Sequence, residues 1–138
     1  MVDNEINKIA QELEESHLLS SSEIKDRKNN ILQRMLFDKE ELKNYHKLLT
    51  KYRYIDEIDE LKYGSYIRWF KIKNVETLTL LKGGFIVDIK TNGKNEIIIL
   101  CKNYGRYFSL KMSDTIIFQK NTSQEELLIN ILDHIKGV

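Results

Sequence analysis

Proline is absent from this chain of 138 residues, which excludes proline-rich linkers. Lys, Asn and Ile are abundant. That combination marks an AT-rich coding source rather than a particular chemistry. A single cysteine, Cys101, cannot form an internal disulfide, so a reducing, intracellular setting is expected. It sits among apolar residues in a strand-like run and reads as a small buried hydrophobe, not a nucleophile. The first ten residues are polar and acidic, unlike a signal peptide. No apolar run approaches the roughly 20 residues that span a bilayer, so no membrane partner is expected.

Catalytic and metal-binding patterns are also missing. His17, His46 and His134 fall on three separate predicted helices, and none lies four residues from a second ligand. Gly83-Gly84 is followed by a strand pattern and no GK[ST], so it is not a phosphate loop. Asp88, Glu96 and Asp114 sit near turns or at outward strand positions, where carboxylates are ordinarily solvated. No metal, no cofactor and no enzymatic activity are expected, because convergent perturbed groups are not displayed.

What is present is a run of short apolar segments over residues 64–120. They occupy 65–72, 78–81, 85–90, 96–102, 106–112 and 115–119, with turn residues between them. β-branched and aromatic runs at this spacing predict a small antiparallel barrel or sandwich. Phe85, Val87 and Ile89 share one predicted face; Phe108, Leu110 and Met112 another; Ile67 and Trp69 a third. Trp69, Val87, Ile99 and Phe108 are expected inside. Residues 97–101 are apolar on both faces and are expected at the sheet centre, with a helix behind them. Asn92-Gly93 and Asn103-Tyr104-Gly105 predict hairpins, and Gly83-Gly84 a bend or bulge.

Helical patterns flank this region. Ile6, Ile9, Ala10 and Leu13 form one stripe after an Asp3 cap. Ile24, Ile31, Leu32 and Met35 form a second after Ser20-Ser21-Ser22. Leu42, Tyr45, Leu49 and Tyr52 form a third after Asp38. The third stripe is read as core, or in part as a contact for a partner helix. At the other end, Ser123 and Glu126 predict a capping box, followed by a wide apolar face through Ile135. This last helix is expected across an open face of the barrel. The narrow N-terminal stripes are expected to dock on the barrel or on a second copy of the chain, and a homodimer through these helices is favoured because three narrow apolar faces are hard to satisfy on one small barrel.

The net charge of +1 conceals an asymmetry. Residues 1–60 carry 10 Lys/Arg against 14 Asp/Glu, residues 61–120 carry 11 against 4, and residues 121–138 carry 1 against 3. The division expected is an acidic helical extension, 1–60, and a basic β unit with its closing helix, 61–138. The acidic run at 56–60 is either a solvated helix end or a clamp on the basic unit. Basic and aromatic residues alternate in the β region. Arg68, Lys90, Lys102, Arg106 and Lys111, with Tyr66, Tyr104 and Tyr107, are the candidate nucleic-acid contacts. Cations track phosphates and rings stack bases, and single strands are favoured. The competing reading makes the rings core residues and the lysines edge-solubilising charges.

From Tyr52 to the C-terminus the chain resembles small uncharacterised proteins of giant, nucleocytoplasmic large DNA viruses. The resemblance rests on Tyr54-Ile55, Asp59-Glu60-Leu61, Gly64-Ser65-Tyr66-Ile67-Arg68-Trp69, Gly83-Gly84, Cys101-Lys102-Asn103 and Ile117-Phe118-Gln119-Lys120. The N-terminal helices lie outside it. It implies a viral source and an SH3-like or related small barrel. Taken with the strand and helix patterns, the expected fold is α+β: a small antiparallel SH3-like or OB-like barrel with an N-terminal helical extension and a C-terminal amphipathic helix. It transfers no active-site residues. The expected function is nucleic-acid binding in viral genome packaging or gene expression, in host cytoplasm, viral factory or virion. The alternative is a virion-associated structural or adaptor protein that binds other proteins, viral ones among them, through its barrel and N-terminal helices.

Overall fold

Among the described residues, capping boxes set the starts of three α-helices. Ser20 pairs with Glu23 at the head of α1 (Ser21–Gln33), and Asp38 with Glu41 at the head of α2 (Lys39–Leu48). Thr122 pairs with Glu125 at the head of α3 (Ser123–Ile135). The last box is one residue earlier than the Ser123–Glu126 spacing predicts. Both pairs satisfy the motif, and Glu125 prevails because its carboxylate also meets Arg53 and Lys62. The structure is a computed structural model that describes residues 4–5, 7–8, 11, 18–72 and 78–136. The stripe residues Ile6, Ile9, Ala10 and Leu13, and His17, lie outside the described residues.

Six strands follow α2: β1 (Tyr52–Ile55), β2 (Tyr66–Lys71), β3 (Gly84–Thr91), β4 (Ile97–Asn103), β5 (Arg106–Lys111) and β6 (Thr115–Lys120). They form one antiparallel sheet in the order β1-β6-β2-β3-β4-β5. The fold is therefore α+β, with an open sheet whose edges are β1 and β5, where a closed barrel was expected. Tyr52 opens β1 instead of closing a helical stripe. Its three-residue spacing from Leu49 imitates a helix, but pairing of Tyr52–Ile55 with residues 117–120 of β6 overrides that local pattern. The sheet thus draws strands from both sides of residue 60.

The two faces of the sheet are buried differently. On one, Ile67, Trp69, Ile86, Ile99, Cys101 and Ile117 pack together inside the curl of the sheet. On the other, Phe70 and Phe118 meet Leu32 of α1, Met35 of the turn after it and Leu49 at the C-terminal cap of α2. The helices therefore cover the β1-β6-β2 part, and β4 lies second from an edge without the helix expected behind it. Helix α3 packs on α1 through Ile129, Leu18 and Ile24, rather than across an open barrel face. The ring of Phe108 is only partly buried and rests on Trp69 at 5.6 Å between centroids. Trp69 Nε1 is buried without a hydrogen-bond partner among the described residues, so packing alone holds that ring.

Strands β2 and β3 pair over only two residue pairs, Tyr66–Phe85 and Ile67–Gly84. Residues 78–81, expected as a strand, belong to no strand, although Leu81 N–H donates to Trp69 O at 2.9 Å. Gly83, at φ +90°, lets the backbone pass the sheet: a Cβ there would stand 1.9 Å from Ile67 O. The bulge falls later, between Ile86 and Asp88. Between β3 and β4 the connection is a five-residue loop, 92–96, in which Asn95 carries the positive φ of 61° and not Gly93. Its shape follows Asn92, whose Oδ1 accepts the N–H groups of Lys94 and Glu96. The β4–β5 turn is tight, with Tyr104 and Gly105 at φ +51° and +77°.

Val87 occupies the bulge and is 41% exposed, a correction to its expected place inside. An extra residue in one strand reverses the alternation after it, so Ile86 and Ile89 share the inner face instead. Val87→Ala should therefore change stability by less than about 0.5 kcal/mol. Ile99→Ala, at a fully buried site, should cost about 2–5 kcal/mol. Urea unfolding of the two variants checks the contrast, and equal losses would place Val87 in the core.

Candidate nucleic-acid interface

The β3-β4-β5 part of the sheet turns its outer face to solvent. The positions on that face follow from the inner ones: Ile86, Cys101 and Phe108 are paired across the strands and point into the curl. The neighbouring pairs point outward. They form a row in register across four strands, Tyr66–Phe85–Lys102–Tyr107. Phe85 is 50% exposed and Tyr107 62% exposed. Sequence alternation assigned Phe85 to the core; the bulge at Val87 is what sends it outward.

The row is partly prearranged. Tyr66 meets Phe85 edge-on, with centroids 5.0 Å apart, and its hydroxyl donates to Lys82 O. Lys102 Nζ lies 5.3 Å from the centre of the Tyr107 ring. Such a cation above a ring is favourable at an exposed site by about 0.5–1 kcal/mol. Two rows further along, Lys90 pairs with Ile98 and Ile98 with Lys111 on the same face. Asp88 is the carboxylate between, with Oδ1 accepting Ile89 N–H at 2.9 Å.

The other candidates are arranged differently. Arg68 is half-buried and donates from Nε to Leu81 O at 2.9 Å, so it braces residues 78–82. Lys111 is 2.8 Å from Glu96 and 3.9 Å from Asp114. The hydrogen bond it donates to Glu96, aided by the negative charges of Glu96 and Asp114, holds the Lys111 ammonium above its ordinary pKa. Its charge is spent within the protein. Arg106 is exposed but stands on the inner-face side of the β4–β5 hairpin end, opposite Asn103. Tyr104 is 99% exposed at the turn, outside the row. The acidic run caps itself in the one-turn 3-10 helix Ile58–Glu60, and Glu60 pairs with Arg27 at 3.4 Å.

Elsewhere, Lys28 is buried with no signal in the sequence to foretell it. Its Nζ donates to Leu49 O at 2.7 Å and Tyr52 O at 2.9 Å, capping the end of α2 and the start of β1. Burial, reinforced by Lys25, lowers its pKa to about 8. Open clefts of about 280 and 380 Å³ flank it. His46 Nε2 lies 3.0 Å from Asn29 Oδ1. Burial, with Lys28 and Lys25, depresses the imidazole pKa. Burial pushes the Cys101 thiol up to about 12, so it stays protonated and unreactive at neutral pH. Among the described residues, no group of three His, Cys, Asp or Glu side chains could hold a metal ion. No described helix is long and apolar enough to cross a membrane. No family model, curated protein or solved structure matches this chain.

Proposed function

We propose that this protein is a non-enzymatic nucleic-acid-binding module that takes single-stranded nucleic acid on the outer face of β3-β4-β5. The observation that carries this reading is the in-register row of two exposed rings and a lysine, Phe85–Lys102–Tyr107. Rings stack bases without regard to sequence, and lysines follow the backbone. With Arg68 and Lys111 engaged inside the protein and Arg106 on the opposite side of the sheet, Lys90 and Lys102 remain for phosphate on this face. This reading relates the curled sheet to SH3-like or OB-like small barrels opened at β1 and β5. The resemblance to giant-virus proteins supports a role in viral genome packaging or gene expression.

Two phosphate contacts at about −0.7 each give a salt slope of about −1.4 on single strands. Gel-shift titration of the full chain with a single-stranded oligonucleotide at two salt concentrations checks this. A shift that fades with that slope supports the proposal. No shift at low salt and high micromolar protein sinks it. The second reading, a virion-associated adaptor for viral proteins, is favoured by exposed Leu127 and Ile135 on α3. Apolar contact of that kind is insensitive to salt.

A further inference from the structure

We propose that the row binds two unstacked bases of one strand, one on Phe85 and one on Tyr107, with the backbone between them against Lys102. This rests on the nucleic-acid reading above and assigns its parts. Phe85 and Tyr107 stand on β3 and β5 with β4 between them. Neighbouring strands lie about 4.8 Å apart, so the two rings are about 10 Å apart. Bases stacked on one another rise only about 3.4 Å per step. A duplex, or a strand keeping its own stack, cannot lay a base on each ring. Only a strand whose bases are splayed can do so.

Lys102 is in register between the two rings, where the sugar-phosphate link of such a strand must pass. The alternation of ring, cation and ring is complementary to the alternation of base, phosphate and base. This charge match favours a polyanion of flat groups over an apolar peptide. Tyr66 has a different task. Its ring abuts Phe85 edge-on and its hydroxyl is tied to Lys82 O, so it is a positioning residue that fixes the Phe85 platform. Tyr104, although the most exposed ring, lies on the turn and takes no base.

The test is fluorescence anisotropy with an eight-nucleotide oligothymidine, an abasic strand of the same length, and a duplex of that length. Wild type should bind the oligothymidine at least 20-fold tighter than the abasic strand, since two stacks contribute ~5-fold or more each. The duplex should bind no tighter than the abasic strand. Phe85→Ala and Tyr107→Ala should each weaken oligothymidine binding ~10-fold and leave abasic binding unchanged. Phe85→Leu keeps the apolar bulk against Tyr66 and should lose as much as Phe85→Ala, which separates lost stacking from lost packing. Tyr104→Ala should change affinity less than 2-fold. Normal oligothymidine binding by both Phe85→Leu and Tyr107→Ala overturns the two-platform proposal while the nucleic-acid reading stands. Equal affinity for duplex and single strand overturns it too. Failure to bind any of the three probes overturns the nucleic-acid reading itself.

Discussion

Replacing Phe70 by alanine should cost about 3–5 kcal/mol, among the largest single-residue losses expected in this protein. Phe70 is fully buried where α2 meets the sheet. Its ring contacts Phe37 at 5.5 Å, Tyr45 at 5.1 Å and Phe118 at 6.0 Å between centroids. These four rings come from the α1–α2 turn, α2, β2 and β6, so one truncation loosens the docking of both helices. The loss combines transfer energy with a cavity that aromatic neighbours at fixed backbone positions cannot close. Urea unfolding followed by circular dichroism would show a lower midpoint. A loss below about 1 kcal/mol would mean that the helices do not depend on the sheet.

Glu125→Ala should cost a comparable 3–5 kcal/mol through charge, not volume. The Glu125 carboxylate lies 2.7 Å from Arg53 and 3.0 Å from Lys62, and both Glu125 and Arg53 are buried. Arg53 also donates to Asn121 Oδ1. Removing Glu125 leaves the guanidinium buried without its counter-charge, which is the expensive way to break such a pair. Replacing both by apolar groups is far less costly, so Arg53→Met with Glu125→Leu should recover most of the loss. Lys62 is the more exposed partner and adds little. Failure of the double variant to recover would show that Asn121 or the α3 cap is the more important contact.

The same group sets an acid limit. Burial raises the Glu125 pKa, but hydrogen bonds from Arg53 and the Thr122 cap, the Arg53 charge and Lys62 outweigh it and hold the carboxyl below its ordinary value. A carboxyl whose folded pKa is depressed stabilises the fold above its unfolded value and loses that stabilisation as pH falls through the folded one. The wild type should therefore lose stability below about pH 4.5, and Glu125→Ala should lose less over the same interval.

Short-range chemistry made part of this protein legible. Ser20 and Asp38 cap their helices because a side-chain oxygen and a glutamate three residues on satisfy backbone donors locally. The tight β4–β5 turn follows from Gly105, and the alternation of β2 and β5 from the pleat. Tyr66, Lys102 and Tyr107 were recognisable as an aromatic and basic pattern for the same reason. The remainder depends on partners far along the chain. Tyr52–Ile55 is a strand only because residues 117–120 lie alongside it. Phe85 faces solvent only because the β3–β4 register places a bulge at Val87. Arg68 and Lys111 leave the candidate site because Leu81 O and Glu96 claim them. A residue's propensity and spacing act over a few positions, whereas register, burial and charge pairing are set by which distant segments the folded chain brings together.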